Sequence, residues 1–464
     1  MRVCHGVGAV FDDPNLVSCA GLAPVLNLAE RAGLHDLVAD RVQIESAVGV
    51  NAAVKITALV GGMLVGADSI ADMDLLRHGG MDRLFGGVRA PSTLGSFLRS
   101  FTFGHVRQLD AVASGLLVGL SRCSPLLPGA DALAYVDIDD TVKATYGYAK
   151  QGAGYGYSGV KGLNALIATV SSPICAPVIV ATRLRRGATN SARGAARMVA
   201  DAIATARRAG AGAGSGSRPE GLVVVRADSA FYCADVIGAA RRGGARFSVT
   251  ARHDPAVTRA IASIPDNAWV AIKYPNAIFD EAEGRWVSDA EVAETDYVAF
   301  TSRPKAEQVD GRLIVRRVRR LNTTNVNGQG ELMAAYRHHA VFTDSPLIML
   351  QAEAAHRQHA IIEQIHADLR AGPLAHLPSS RFNANGAWLV LAAIAFNLTR
   401  AAGTLASAFH AKATTATLRR QLINVAARVT RSARRSTLRL PTAWPWAAAW
   451  QQLFNAATGP PADT

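Results

Sequence analysis

The chain has 464 residues, of which 49% are hydrophobic, enough to fill the cores of two or three domains and too many for a disordered protein. A formal net charge of +13 favours a polyanionic partner, and nucleic acid is the commonest. Cys4, Cys19, Cys123, Cys175 and Cys233 are scattered and form no Cys-x-x-Cys pair, which argues for a reducing cytosol and against a zinc or disulfide framework.

The first residues lack a basic segment followed by a sustained apolar run, so export is not expected. Residues 1–130 read as helical: Leu22 to Gly33, then Asn51 to Val65, then a turn-rich patch to Ala90. Pro91 to Phe101 opens a further helix with a proline and hydroxyl residues, and Arg89, Arg99 and Arg107 lie near it. Short helices with a basic segment fit a helix-turn-helix-like unit on a DNA end, with a dimerising helical bundle as the plainer reading. Pro125, Pro128 and Gly129 mark a linker within Leu120 to Asp131.

Tyr135-Val-Asp-Ile-Asp-Asp-Thr141 is a short apolar strand ending in carboxylates. Strand alternation puts Asp137 and Asp139 on one face, and two unpaired carboxylates there call for a divalent cation. The glycines and tyrosines from Tyr146 to Tyr157 allow close approach to a phosphate and stacking on bases, or form a plain surface loop, with Tyr155, Tyr157 and Lys161 as candidate DNA contacts. Strands follow at 161–170 and 177–184, then an alanine-rich helix from Thr189 to Ala209 and a flexible Gly/Ala/Ser run. A second carboxylate strand, Leu222 to Asp228, precedes a helix from Phe231 to Arg242 and another strand at 246–251. That is a βαβ rhythm, so the expected fold is α/β.

From about 250 to 345 short strands alternate with turns. Within Leu313 to Arg320, Arg316, Arg317, Arg319 and Arg320 either track a DNA backbone or guard an exposed edge strand. Trp269 or Trp286 either stacks on an extruded base or fills a core. Ala354 to Arg370 reads as a helix whose apolar stripe is Ile362, Ile365 and Leu369 and whose polar stripe is His356, His359, Glu363, His366 and Arg370. Ala387 to Leu398 is too short to span a bilayer and predicts a buried helix covering the sheet, so no membrane association is expected. Lys412 to Arg439 reads as a basic helical tail with Arg428, Arg431, Arg434 and Arg435 facing DNA, and the last six residues as a frayed end. No His-Glu-x-x-His, phosphate-binding Gly-x4-Gly-Lys or nucleophile-elbow motif is present, which argues against zinc-hydrolase chemistry and leaves ATP-driven and serine-nucleophile readings without support.

Taken in order, the Asp-Ile-Asp-Asp-Thr strand, the Gly/Tyr stretch, Arg226-Ala-Asp-Ser229, the glutamate helix and Phe382-Asn-Ala-Asn385 resemble the DDE transposases of bacterial insertion sequences, most closely the IS-thirteen-eighty family. The resemblance runs from about residue 10 to 450. It implies an RNase H-like α/β core with an all-β insertion, a helical domain before it and a basic helical region after it. The boundaries expected are 1–130, 131–250, 251–345, 346–402 and 403–464. It implies a triad of Asp139, Asp228 and Glu363, with Asp137 as a further metal candidate, holding two Mg²⁺ per active site, or Mn²⁺ in their place. Related chains carry Tyr-x2-Arg-x3-Glu-x6-Lys on the glutamate helix; here His356, His359, Glu363 and Arg370 stand at those positions, with His356, His359 and Arg370 as candidate DNA contacts. The implied partners are terminal inverted repeats, target DNA and a second copy of the chain, in the bacterial nucleoid. A metal-dependent nuclease that cuts without joining, and a DNA-binding protein that no longer catalyses, are the alternatives.

Overall fold

The computed structural model describes residues 6–146, 149–156, 159–214, 220–272, 279–280, 285–286, 290–319, 336–432 and 435–459; at Phe279, Asp280, Arg285, Trp286 and Arg319 it describes the backbone alone. The chain divides into two compact units. One comprises Met1–Leu126, Lys143–Ala153 and Ala367–Thr464; the other comprises Leu127–Val142 and Gly154–His366.

The first unit begins with helices α1 (Leu22–Arg31), α2 (Leu34–Arg41), α3 (Ala52–Val65), α4 (Pro91–Arg99) and α5 (Phe103–Cys123). Apolar residues at helical spacing make the packing faces, as with Leu22, Val25, Leu28 and Ala29 in α1. Pro91 at the start of α4 uses its fixed φ and missing N–H where no intrahelical donor is needed. A capping box starts α5: Thr102 Oγ1 accepts from the His105 amide at 3.3 Å, and the Thr102 amide donates to His105 Nδ1 at 3.2 Å.

The second unit is built on a mixed ten-stranded sheet. Its strands are β1 (Leu133–Ala144), β2 (Lys161–Ser171), β3 (Val178–Arg186), then, after helix α6 (Ala195–Arg208), β4 (Leu222–Ala227), and after α7 (Ala234–Arg242), β5 (Arg246–Thr250). Helix α8 (Pro255–Ala262) leads to β6 (Val270–Ile272), β7 (Ala290–Ala299), β8 (Val309–Arg319) and β9 (Tyr336–Thr343). The order across the sheet is β2-β1-β4-β5-β9-β8-β7-β6, with β3 and the two-residue strand Gly154–Tyr155 both on the outer side of β2. β1, β4 and β5 run parallel, and from β5 to β6 each neighbour is antiparallel. The strands after residue 250 therefore extend the core sheet through the β5–β9 ladder, and the segment expected to be all-β also contains α8. The basic strand β8 is an interior strand between β7 and β9, which corrects the edge-strand reading.

Helix α9 (Met349–Arg357) crosses this sheet. Ala352 packs with Val292 and Ile314 of β7 and β8, and Ala355 packs with Tyr135 and Val224 of β1 and β4. A 3₁₀ turn, Gln358–Ala360, separates α9 from α10 (Ile361–Arg370), so the single helix expected from Ala354 to Arg370 is broken in its first half. Ile362, Ile365 and Leu369 are buried as the pattern predicts.

The chain then returns to the first unit. Helix α11 (Phe382–Ala406) packs against α1, α3, α4 and α5, and so forms the core of the helical unit instead of covering the sheet. Its 25 residues exceed the apolar stretch read from the sequence and are long enough to cross a membrane, but 89% of its most apolar window is buried inside the protein. Trp388 Nε1 donates to the Pro373 carbonyl at 2.6 Å at the centre of that packing. The region expected to be a basic helical tail is helical only in its first part, at Ala408–Lys412 and from Thr415 to Ile423; the rest is a hairpin, β10 (Ala427–Ser432) and β11 (Arg435–Arg439), with β10 paired with Leu16–Val17, and α12 (Ala447–Thr458) follows. Ala427 and Val429 are buried on either side of the exposed Arg428, the alternation of a strand, and beyond them Arg431 and Ser432 are both exposed.

Candidate active site

The β1–β4 ladder pairs Asp137 with Arg226 and Ile138 with Ala227, so Asp139 and Asp228 follow side by side where β4 ends. The three carboxylates of β1 have separate fates. Asp137 is fully buried, and both its oxygens accept from Arg226: Nε to Oδ1 and Nη2 to Oδ2, each at 2.7 Å. Burial alone would raise its pKa, but the Arg226 charge and then His359 outweigh it and hold the carboxyl below its ordinary range. Asp140, also buried, accepts from Arg185 Nη2, from Asn164 Nδ2 at 2.7 Å and from Ser191 Oγ at 3.2 Å. Asp139 alone of the three has no arginine pair among the described residues, and 23% of its side chain is exposed. With both oxygens engaged by a guanidinium, Asp137 is not placed as the open metal ligand named from the sequence.

Asp228 caps the 3₁₀ turn Ser229–Phe231, its Oδ1 accepting from the Ala230 amide at 2.9 Å. Burial first, and the neighbouring Asp139 second, push its carboxyl pKa upward. Two hard oxygen donors that repel each other at the mouth of a strand pair suit a divalent cation, which would remove the repulsion. Asp139 and Asp228 are the residues that would hold it.

The helical side of the site is set by histidines. His356 is buried between β5 side chains, with Nδ1 2.9 Å from Ser248 Oγ and Nε2 2.9 Å from Thr250 Oγ1. Both ring nitrogens are thus used internally, so the DNA contact expected of His356 is corrected, and that expected of His359 is set against a ring nitrogen engaged by the buried Asp137. Burial, followed by the nearby His359, lowers its pKa to about 3 and keeps the ring neutral. His359 Nδ1 lies 2.9 Å from Asp137 Oδ1, and His366 Nε2 lies 3.2 Å from Asp139 Oδ2. Glu363, exposed, stands four residues after the first and three before the second, on the same helical face. That face is therefore anchored to β1 on either side of Glu363. Among the described residues no three His, Cys, Asp or Glu side chains form a metal cluster, so the structure brings Asp139 and Asp228 together and does not gather Glu363 with them.

The proposed DNA contacts divide. Arg99 is exposed at the end of α4. Tyr155 is 67% exposed and pairs in register with Lys161, which is half-buried. Arg317 is not free for phosphate: its Nε is 2.7 Å from Glu291 Oε2, and its guanidinium sits 4.1 Å from the Trp269 ring centroid and 4.7 Å from that of Tyr336. Arg316 faces the buried Glu353 at 3.7 Å. These two corrections have one cause, since an interior strand packed under α9 and beside acidic β7 must pair its cations. Arg370, Arg428, Arg431 and Arg435 are exposed, with Arg428 Nε 3.4 Å from Asp13. Tyr157, Arg320 and Arg434, the side chain of Arg319 and that of Trp286 lie outside the described residues.

Sequence reasoning used Arg226 only as a landmark and did not assign Arg185 a role. A signal for Arg226 exists: it is two residues before Asp228 in a strand, so it faces the same side as that carboxylate in an otherwise β-branched run. A search of curated proteins gives no match. The model of the family described as transposase DDE domain group 1 matches residues 4–458, nearly the whole chain, and the chain therefore belongs to this family of transposases, the recombination enzymes of mobile elements.

Proposed function

We propose that the sheet unit is an RNase H-like core in which Asp139, Asp228 and Glu363 form the DDE triad. The observation that carries this reading is the division of labour on β1. Asp137 and Asp140 are each consumed by a buried arginine, and Asp139 is left beside Asp228, with the Glu363 face of α10 fastened to the same strand. Three neighbouring strands followed by two parallel ones suit that core.

In this reading Asp139 and Asp228 hold divalent ions, Mg²⁺ by preference, and Glu363 completes the ligand set once DNA is in place. When bound, such ions activate the attacking oxygen and stabilise the leaving one in an in-line phosphodiester displacement. The chain's own residues fix the geometry: Asp228 is oriented by the Ala230 amide, and Asp139 by the His366 ring. The substrate is the terminal inverted repeat of an insertion sequence. Its freed 3′-hydroxyl then attacks target DNA at the same site, within a homodimer at the nucleoid. Exposed arginines of the β10–β11 hairpin supply phosphate contacts.

Labelled DNA ends incubated with an acceptor plasmid, with and without Mg²⁺, test this. Wild type is expected to give joined product only with the ion, and Glu363→Gln none. Cutting without joining would assign a nuclease. End binding with no chemistry in either protein would assign a DNA-binding protein.

A further inference from the structure

We infer that Arg226, Asp137 and His359 form a positioning device that sets the rotation of α10, and with it Glu363, against Asp139 and Asp228. The inference rests on the proposed triad and adds residues that touch neither ion nor DNA.

The device is assembled from four elements. On neighbouring parallel strands, Asp137 and Arg226 are partners in register and exchange a two-pronged contact at 2.7 Å, both side chains being at most 2% exposed. The remaining guanidinium nitrogen, Nη1, donates to the carbonyl of Ala355 in the last turn of α9. Ala355 lies among the last four residues of α9, whose carbonyls an ideal helix end leaves without an i+4 amide donor, and Arg226 supplies a donor there. Below, the guanidinium lies 4.0 Å from the centroid of the Tyr135 ring, which fixes its plane. Above, the His359 ring, in the 3₁₀ turn itself, closes onto Asp137 Oδ1 at 2.9 Å and stacks with His356, which is tied to β5.

These contacts hold both sides of the break. Ala355 fixes where α9 ends, and His359 fixes the direction in which α10 begins. Glu363 is one turn after His359, so its bearing toward Asp139 and Asp228 is inherited from that turn. The arginine fork is essential to this geometry, because a lysine ammonium cannot satisfy Asp137 in two places and Ala355 in a third with one planar group. Asp137 is therefore a support for the metal ligands, comparable to the outer partners that orient ligands in metal sites.

The test uses the full-length protein with DNA ends and Mn²⁺. Binding of Mn²⁺ is followed by its electron paramagnetic resonance signal, and cleavage is measured at saturating DNA, for wild type, Arg226→Lys, His359→Ala and Asp139→Asn. Arg226→Lys and His359→Ala are expected to bind DNA ends within about twofold of wild type. Both are expected to need roughly 10- to 100-fold more Mn²⁺ for half-saturation, with cleavage reduced to match, the range seen when outer-shell partners of metal ligands are removed. Wild-type Mn²⁺ dependence in both variants would overturn the positioning role. If Arg226→Lys fails to fold, the partly exposed His359→Ala decides alone. Undiminished Mn²⁺ binding by Asp139→Asn would instead overturn the triad reading, independently of the other two variants.

Discussion

Acidification should loosen the sheet unit through His356. Its ring is enclosed by Ser248 and Thr250 of β5, and burial lowers its pKa from 6.5 to about 3. Between those values the unfolded chain binds a proton that the folded chain refuses. Stability contributed by the neutral ring is therefore present above pH 6.5 and lost as pH falls toward 3. One proton costs about 1.4 kcal/mol per pH unit inside the window, so moving from pH 7 to pH 5 should remove roughly 2 kcal/mol. His356→Gln keeps hydrogen-bonding groups for both hydroxyls but cannot charge. Urea unfolding at pH 7, 6 and 5, read by pulsed hydrogen exchange in peptides from β5 and α9, should show a steeper acid loss in wild type by that amount. Parallel losses in the two proteins would refute the reasoning.

Arg185→Met should destabilise the sheet unit by about 3–5 kcal/mol, because it leaves the Asp140 carboxylate buried with only Asn164 and Ser191. Adding Asp140→Leu should restore most of that in urea midpoints, and no restoration would contradict the paired-charge account. Gly221→Ala would place a methyl 1.8 Å from the Asp131 carbonyl oxygen, ahead of the strand that carries Asp228, and should cost at least about 1–3 kcal/mol. Gly104→Ala, whose nearest neighbour is Thr102 Oγ1 at 3.7 Å, should leave the same thermal or urea midpoint nearly unchanged. Replacing Arg428, Arg431 and Arg435 by glutamate should weaken DNA-end binding and flatten its salt dependence by about 0.9 in log–log slope for each phosphate that is no longer neutralised. Anisotropy titrations across KCl concentrations would show this, and an unchanged slope would remove the hairpin from the DNA surface.

Where local sequence carries the physics, the structure was legible in advance. The β-branched strands at Leu133, Lys161, Val178 and Leu222 and the apolar stripe of α10 follow from period and composition. The position of Asp228 just past a strand was legible too, whereas the strand expected to end in carboxylates runs on to Ala144 with Asp139 inside it, and the pairing of the two strands appears only in the fold. The basic C-terminal region misled because alanine and arginine favour helices intrinsically, while the alternation of Ala427, Arg428 and Val429 is only three residues long. Arg226 and Arg185 were missed as ion-pair partners because Asp137 and Asp140 lie 89 and 45 positions away, and pairing across a sheet leaves no local trace. The fate of Arg317 was decided by Glu291, Trp269 and Tyr336, which reach it only through strand order. The break between α9 and α10 has no glycine or proline to announce it; it coincides with the Arg226 and His359 contacts.

The helical unit is completed by α11, which enters the chain about 260 residues after the end of α5. At translation rates of roughly 5–20 residues per second, the N-terminal helices wait on the order of tens of seconds before the segment that fills their core leaves the ribosome. During that interval the apolar faces of α1, α3 and α5 have no partner of their own chain at the position α11 will take. The sheet unit, by contrast, is contiguous apart from one short excursion and can fold as it emerges. Synthesis thus delivers the sheet unit first and the helical unit last, so a chain truncated before residue 382 carries Asp139, Asp228 and Glu363 on a fragment whose helices remain open to aggregation or chaperone capture.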